Sequence, residues 1–152
     1  MEYIESAKDE TPEDGCIFCD LPSAEDDEAA LILARSSLSF VLMNRFPYNP
    51  GHLLVAPLRH LGELGSVTAA EAADVHELIQ RSMEALKEEM SPHGFNIGMN
   101  LGRIAGAGIP DHVHWHIVPR WNGDSNFMPV IGQTKVLPEL LAETWSKLAP
   151  RF

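Results

Sequence analysis

The sequence predicts an α+β domain built on one twisted, mainly antiparallel sheet, with a long helix and a C-terminal helix. Two observations carry this prediction. Short apolar runs bounded by Pro, Gly and Asn lie on either side of a long stretch whose apolar residues recur at helical spacing. A chain of 152 residues that is 45% hydrophobic is long enough for a single core and too apolar to be disordered throughout.

Taken in order, residues 1–14 carry many acids and few apolar anchors, which predicts a flexible acidic tail ahead of a domain covering residues 15–152. CIFC (16–19) interrupts the acidic character, and ordered structure is expected to begin in earnest near Leu31. LSFVLM (38–43) and HLLVA (52–56) read as strands, joined by NRFPYNPG, whose prolines and Gly51 suit a hairpin connection. Thr68 followed by Glu71 forms a capping box, and Val75, Leu78, Ile79, Met83, Leu86 and Met90 form one apolar stripe. This helix should end near Ser91, before Pro92 and Gly94, giving about 23 residues over roughly 35 Å. FNIGMNL (95–101) and HVHWHIVP (112–119) read as strands separated by the glycine-rich GRIAGAGIPD. A loop over 120–136 leads to a closing helix, Pro138–Leu148, with Leu141, Trp145 and Leu148 on one face.

Charge narrows the function classes. The net charge of −11 excludes a broad basic face for nucleic acid. No run approaches 18 apolar residues, so no membrane span is expected. The opening MEYIESAKDE has no charged-then-apolar leader, and the chain reads as cytoplasmic. Eleven acids against one base fall in residues 1–30, whereas the remainder carries eleven against ten. Segment 95–136 is slightly positive, and screening within about 10 Å isolates it from the tail, so a phosphate ligand is permissible there.

Three of the seven histidines, His112, His114 and His116, fall within five residues. On a strand they would share one face at intervals of about 6.6 Å, with Val113, Trp115 and Ile117 facing the core. Three imidazoles in a row need three separate partners, which points to either a metal cage or a catalytic row. Gly102, Gly106 and Gly108 just upstream allow backbone N–H groups to cradle a phosphate. Together these features describe phosphoryl or nucleotidyl transfer through a covalent histidine. Cys16 and Cys19 form a C-x2-C outside any βαβ pattern, which favours half of a tetrahedral zinc site, with His60 and one triad histidine as candidate partners. His76 and His93 read as surface or capping residues.

HVHWHIV resembles the H-φ-H-φ-H-φ-φ motif of the histidine triad (HIT) superfamily, and NRFPYNPGHLLVAPLRH (44–60) resembles its second signature. HGFNIGMNLG and PRWNGDSNF are similar to the Fhit and diadenosine tetraphosphate phosphorylase-like branch. The resemblance implies a HIT-like fold with about five strands. It also implies cleavage at the α-phosphate of dinucleoside polyphosphates, such as diadenosine tetraphosphate, through a nucleotidyl-histidine. By position, His114 matches the nucleophile and His116 the third histidine at the phosphate; Asn44 matches a ribose contact and Asn100 an α-phosphate contact. His52 matches a supporting residue beneath the site, and the Gly106–Ile109 loop offers backbone donors, with Gly108 and Ile109 standing where many members have Gln then Ser or Thr. Cys16, Cys19, His60 and His112 match the ligands of a closed, structural Zn2+ in members that keep the C-x2-C. No catalytic cofactor is required by the scheme, the partner is a small nucleotide, and a homodimer is implied. The acceptor, water or inorganic phosphate, is left open. So are a nucleotide-sensing module without turnover and a metalloenzyme using the histidine row.

Overall fold

A computed structural model describes residues 15–109, 111–124 and 138–152; the acidic tail expected over 1–14 and most of the 120–136 loop lie outside the described residues. The elements are α1 (Ile17–Asp20), α2 (Asp27–Ala30), β1 (Ile32–Arg35), β2 (Ser39–Met43), β3 (Leu53–Pro57), α3 (Ala69–Met90), β4 (Gly94–Gly98), β5 (Trp115–Arg120) and α4 (Pro138–Leu148). The five strands form one sheet in the order β1-β2-β3-β5-β4, and every pair is antiparallel.

β2 and β3 are buried on both faces, which explains why their sequences are continuous apolar runs rather than alternating ones. Parity divides them. Val41, Met43, Leu53 and Val55, joined by Ile117 of β5, face α3 through Val75, Leu78 and Leu86 and face α4 through Leu141 and Leu148. Phe40, Leu42, Leu54 and Ala56 face the other way and pack with Phe18 of α1, Ala30 and Ile32. The catalytic candidates lie on this second face.

The helix signals are met closely. The Thr68 hydroxyl accepts from the Glu71 N–H and the Glu71 carboxylate accepts from the Thr68 N–H, closing the capping box. The helix stops at Ser91 in a left-handed conformation, φ 48°. Arg59 adds a bidentate pair to Glu71, and its hydrogen bonds hold that carboxyl down at about 2. Gly51 answers to a double constraint. Its φ is +79°, and an added Cβ would lie 2.8 Å from Met90 Sδ and 2.9 Å from Leu86 Cδ2, so the β2–β3 turn can press against α3 only without a side chain.

Three expectations are corrected. Regular structure is already present ahead of Leu31, in α1 and α2. β1, which brings the sheet to the expected five strands, was not located from its sequence; it pairs Ile32, Ala34 and Arg35 with β2. β5 starts at Trp115, so His112 and His114 precede the strand instead of lying on it. β3 pairs β5 only through Leu53–Val55. Pro57 lacks the N–H to continue the ladder, and its carbonyl accepts instead from the His112 ring. Strand alternation nevertheless holds from residue 115, with Ile117 on the α3 side. Among the described residues no helix is long and apolar enough to cross a membrane.

Candidate active site and metal centre

The site is assembled where β5 runs beside β3, and its polar groups are satisfied by one another. His114 is 7% exposed. Its Nδ1 lies 2.9 Å from the His112 carbonyl, which can only accept, so Nδ1 carries the proton and Nε2 is left with a free lone pair. Burial pulls the His114 pKa down against the opposing effect of that bond, so the ring is neutral near pH 7.

A second chain of bonds fixes the partner histidine. The Tyr48 N–H donates to His52 Nδ1 at 3.1 Å, which assigns the His52 proton to Nε2. That Nε2 stands 2.9 Å from His116 Nδ1, which must therefore accept. The neutral His116 then carries its own proton on Nε2 and presents a donor. Burial, reinforced by the neighbouring imidazoles, lowers His52 to about 3 and His116 to about 4. The His114 and His116 ring centroids are 5.1 Å apart, placing a bare nitrogen beside a ring that offers a proton. Tyr48 lies nearly parallel to His116, at 9° and 6.0 Å.

His52 belongs to this relay rather than to a ligand surface, being 1% exposed. Asn44 is half-buried; its Oδ1 accepts from the Phe46 N–H at 2.9 Å, and its amide nitrogen lies 3.4 Å from His52 Nδ1. In the glycine-rich loop, Gly106 adopts φ +91° and its carbonyl faces the Asn100 amide at 3.5 Å. Gly108 is exposed, and the Ile109 side chain packs on the cluster containing Phe18. His76 is exposed on α3, and exposed His93 accepts from the Asn122 N–H through Nδ1.

The other residues singled out from the sequence also converge. Cys16, Cys19, His60 and His112 each offer one ligand atom, all within 4.8 Å of one another. Cys16 Sγ and Cys19 Sγ stand 3.3 and 3.6 Å from His112 Nδ1, and Cys19 Sγ 3.3 Å from His60 Nδ1. A tetrahedral ion bound at about 2.0–2.3 Å would set its ligand atoms roughly 3.3–3.8 Å apart, so the group fits a metal ion. His112 supports the same reading. Its Nε2–H donates to the Pro57 carbonyl at 2.7 Å, leaving Nδ1 unprotonated toward the sulfurs, the arrangement in which an outer carbonyl orients a ligating imidazole.

Sequence reasoning missed Phe18 and Tyr48. Both lie within segments it had singled out, CIFC and NRFPYNPG, but their roles depend on rings brought from elsewhere in the chain.

Residues 25–123 match the HIT domain, and the chain belongs to that family. It is 44% identical over 135 residues, 89% of this chain and 69% of the relative, to AP-4-A phosphorylase of Mycobacterium tuberculosis. It is 34% identical over 93 residues, 61% of this chain and 50% of the relative, to the asymmetrical bis(5'-nucleosyl)-tetraphosphatase of Schizosaccharomyces pombe. Among solved structures, a Zn-bound histidine triad family protein from Mycobacterium smegmatis superposes with a TM-score of 0.73 at 25% identity, covering 90% of this chain and 92% of that one.

Proposed function

We propose that the protein is an enzyme that cleaves dinucleoside polyphosphates, diadenosine tetraphosphate among them, at the α-phosphate through a nucleotidyl-His114 intermediate. The observation that carries the reading is the pair of complementary tautomers: Nδ1–H of His114 on the His112 carbonyl, and Nδ1 of His116 accepting from His52. In the first step His114 Nε2 attacks the α-phosphorus and forms a P–N bond. The bridging P–O bond breaks, and the departing phosphate leaves as an anion steadied by the hydrogen bond from His116 Nε2–H. In the second step an acceptor oxygen attacks the same phosphorus, the P–N bond breaks, the acceptor's proton passes to solvent, and neutral His114 is restored. Asn44, Asn100 and the backbone N–H groups of Gly108 and Ile109 would hold ribose and phosphate, stabilising charge as it develops, whereas the Gly106 N–H, also expected to serve, is spent on the Arg103 carbonyl at 3.0 Å.

Inorganic phosphate or water can serve as the acceptor. The 44% identity to a protein named AP-4-A phosphorylase supports phosphate; the similarity to a tetraphosphatase supports water. Incubation with diadenosine tetraphosphate, with and without phosphate, tests the assignment. ADP plus ATP formed only with phosphate identifies a phosphorylase, and AMP plus ATP formed in its absence identifies a hydrolase. No product and no labelled protein under either condition would leave only a nucleotide-binding module.

Zn2+ is our assignment for the metal, held by Cys16, Cys19, His60 and His112. The donor set of two thiolates and two imidazoles is the zinc set, and four protein ligands fill the tetrahedron. When bound, the ion supplies a fixed geometry rather than reaction chemistry. We further assign a cytoplasmic, homodimeric enzyme with a small nucleotide as its partner, without nucleic acid or membrane, and with residues 1–14 as a tail on a domain covering 15–152. The outer edge of β4, where Ile97 is 43% exposed, supports the dimer, which sedimentation velocity would test.

A further inference from the structure

We propose that Phe18 is a positioning residue for the His114 nucleophile, carried onto its ring by the segment that holds the two cysteines. The inference rests on His114 being the nucleophile. α1 is a single turn of four residues, closed by bonds from the Cys19 and Asp20 N–H groups to the Cys16 carbonyl. A helix that short cannot hold itself together. It is held by what it touches: the sulfurs of Cys16 and Cys19 face His112 Nδ1, and Phe18, 1% exposed, lies between them in sequence and enters the core.

The Phe18 ring meets two histidines. Its centroid is 5.4 Å from His112 and 4.7 Å from His114, tilted 37° to the latter. This contact does something the hydrogen bonds do not. Imidazole is nearly symmetric in shape, and one bond from Nδ1 to the His112 carbonyl leaves the ring able to turn about its Cβ–Cγ axis, which would put Cδ2 where Nδ1 stands and Cε1 where Nε2 stands. A flat, buried phenyl against one side closes the volume that such a turn would sweep. His116 bounds the ring on another side, at 5.1 Å between centroids. Phe18 therefore keeps the bare Nε2 in the place where the phosphorus must arrive, without touching the substrate.

The test uses the full chain with Phe18→Leu and Phe18→Ala. Leucine keeps most of the buried volume without the flat ring and guards against an alanine variant that fails to fold. Two readouts are taken at pH 8: steady-state kinetics with diadenosine tetraphosphate plus phosphate, and the 15N imidazole signals that distinguish His114 tautomers in substrate-free protein. We expect kcat to fall roughly 3- to 10-fold in the leucine variant and further in the alanine variant, with KM within about twofold, as misplacement of a reacting group costs rate rather than binding. His114 should change from a single Nδ1–H tautomer to a mixture. Unchanged kcat with a single tautomer in Phe18→Leu would overturn the proposal. So would a rise in KM with the tautomer intact, which would make Phe18 a wall of the ligand pocket instead. Absence of a nucleotidyl adduct on wild-type His114 would overturn the nucleophile assignment itself, and the tautomer signals would still report whether Phe18 holds the ring.

Discussion

His52 reaches no solvent to speak of, yet its two ring nitrogens decide what His116 can offer a substrate. The Tyr48 N–H commits Nδ1 to accepting, so Nε2 must donate, and the direction of the whole relay follows from that one backbone group. His52→Asn would remove the well-placed donor and free His116 to adopt either tautomer. kcat should fall about 10- to 100-fold with little change in KM, as measured by steady-state kinetics. His114→Ala should keep the wild-type circular dichroism spectrum but lose at least about 1,000-fold in turnover, with no radiolabel retained after rapid quenching. At this scale the sequence was most informative about identity and least about protonation. The triad spacing marked His114 and His116, while the tautomers depend on the His112 carbonyl and on Tyr48, which no spacing reveals.

Among the elements, α3 and α1 contrast in how they are stabilised. α3 was legible nearly to the residue because its signals are local: the Thr68–Glu71 box, the apolar stripe, and a stop before Pro92. α1 was not legible as a helix, because four residues carry no helical period, and its order derives from His60 and His112 far along the chain. Metal should therefore matter to α1 above all. Purified protein should contain about one zinc per chain, and stripping it with a thiol-compatible chelator should lower the melting temperature by several degrees or more, read by calorimetry before and after zinc is restored. Recovery of metal-free protein with an unchanged transition would remove the zinc assignment. β5 teaches a related lesson. Its sequence reads as a strand from residue 112, but Pro57 on its neighbour cannot donate, and His112 spends its side chain on that carbonyl and on the cysteines.

For the molecule as a whole, burying a neutral relay has a cost that depends on pH. His52 and His116 take up protons only near pH 3 and 4 when folded, against about 6.5 for an unfolded histidine. Above pH 6.5 neither state is protonated at these positions and stability is at its full value. As pH falls below 6.5 the unfolded chain binds protons that the folded chain refuses, so stability declines progressively toward pH 4. Glu71, held at about 2, adds its own loss only below the ordinary carboxylate range, so the interval from pH 6.5 to 4.5 reports on the histidines. Urea unfolding at pH 7.5, 6.0 and 5.0, with metal kept saturating, should show a steady fall, and His52→Asn should flatten it.

The sequence by itself determined the class of fold, the helix with its cap, the face of β5 that enters the core, and the family, because these rest on local periodicity and on contiguous motifs. It also named every residue of the cysteine–histidine cluster through resemblance. Tertiary structure alone decided that α1 and α2 form ahead of Leu31, that β1 completes the sheet, and which ring nitrogen bears each proton. The physical reason is range. A proton's place on a buried imidazole is set by whichever acceptor or donor lies within about 3 Å, and here those partners come from residues as far apart as Tyr48 and His116.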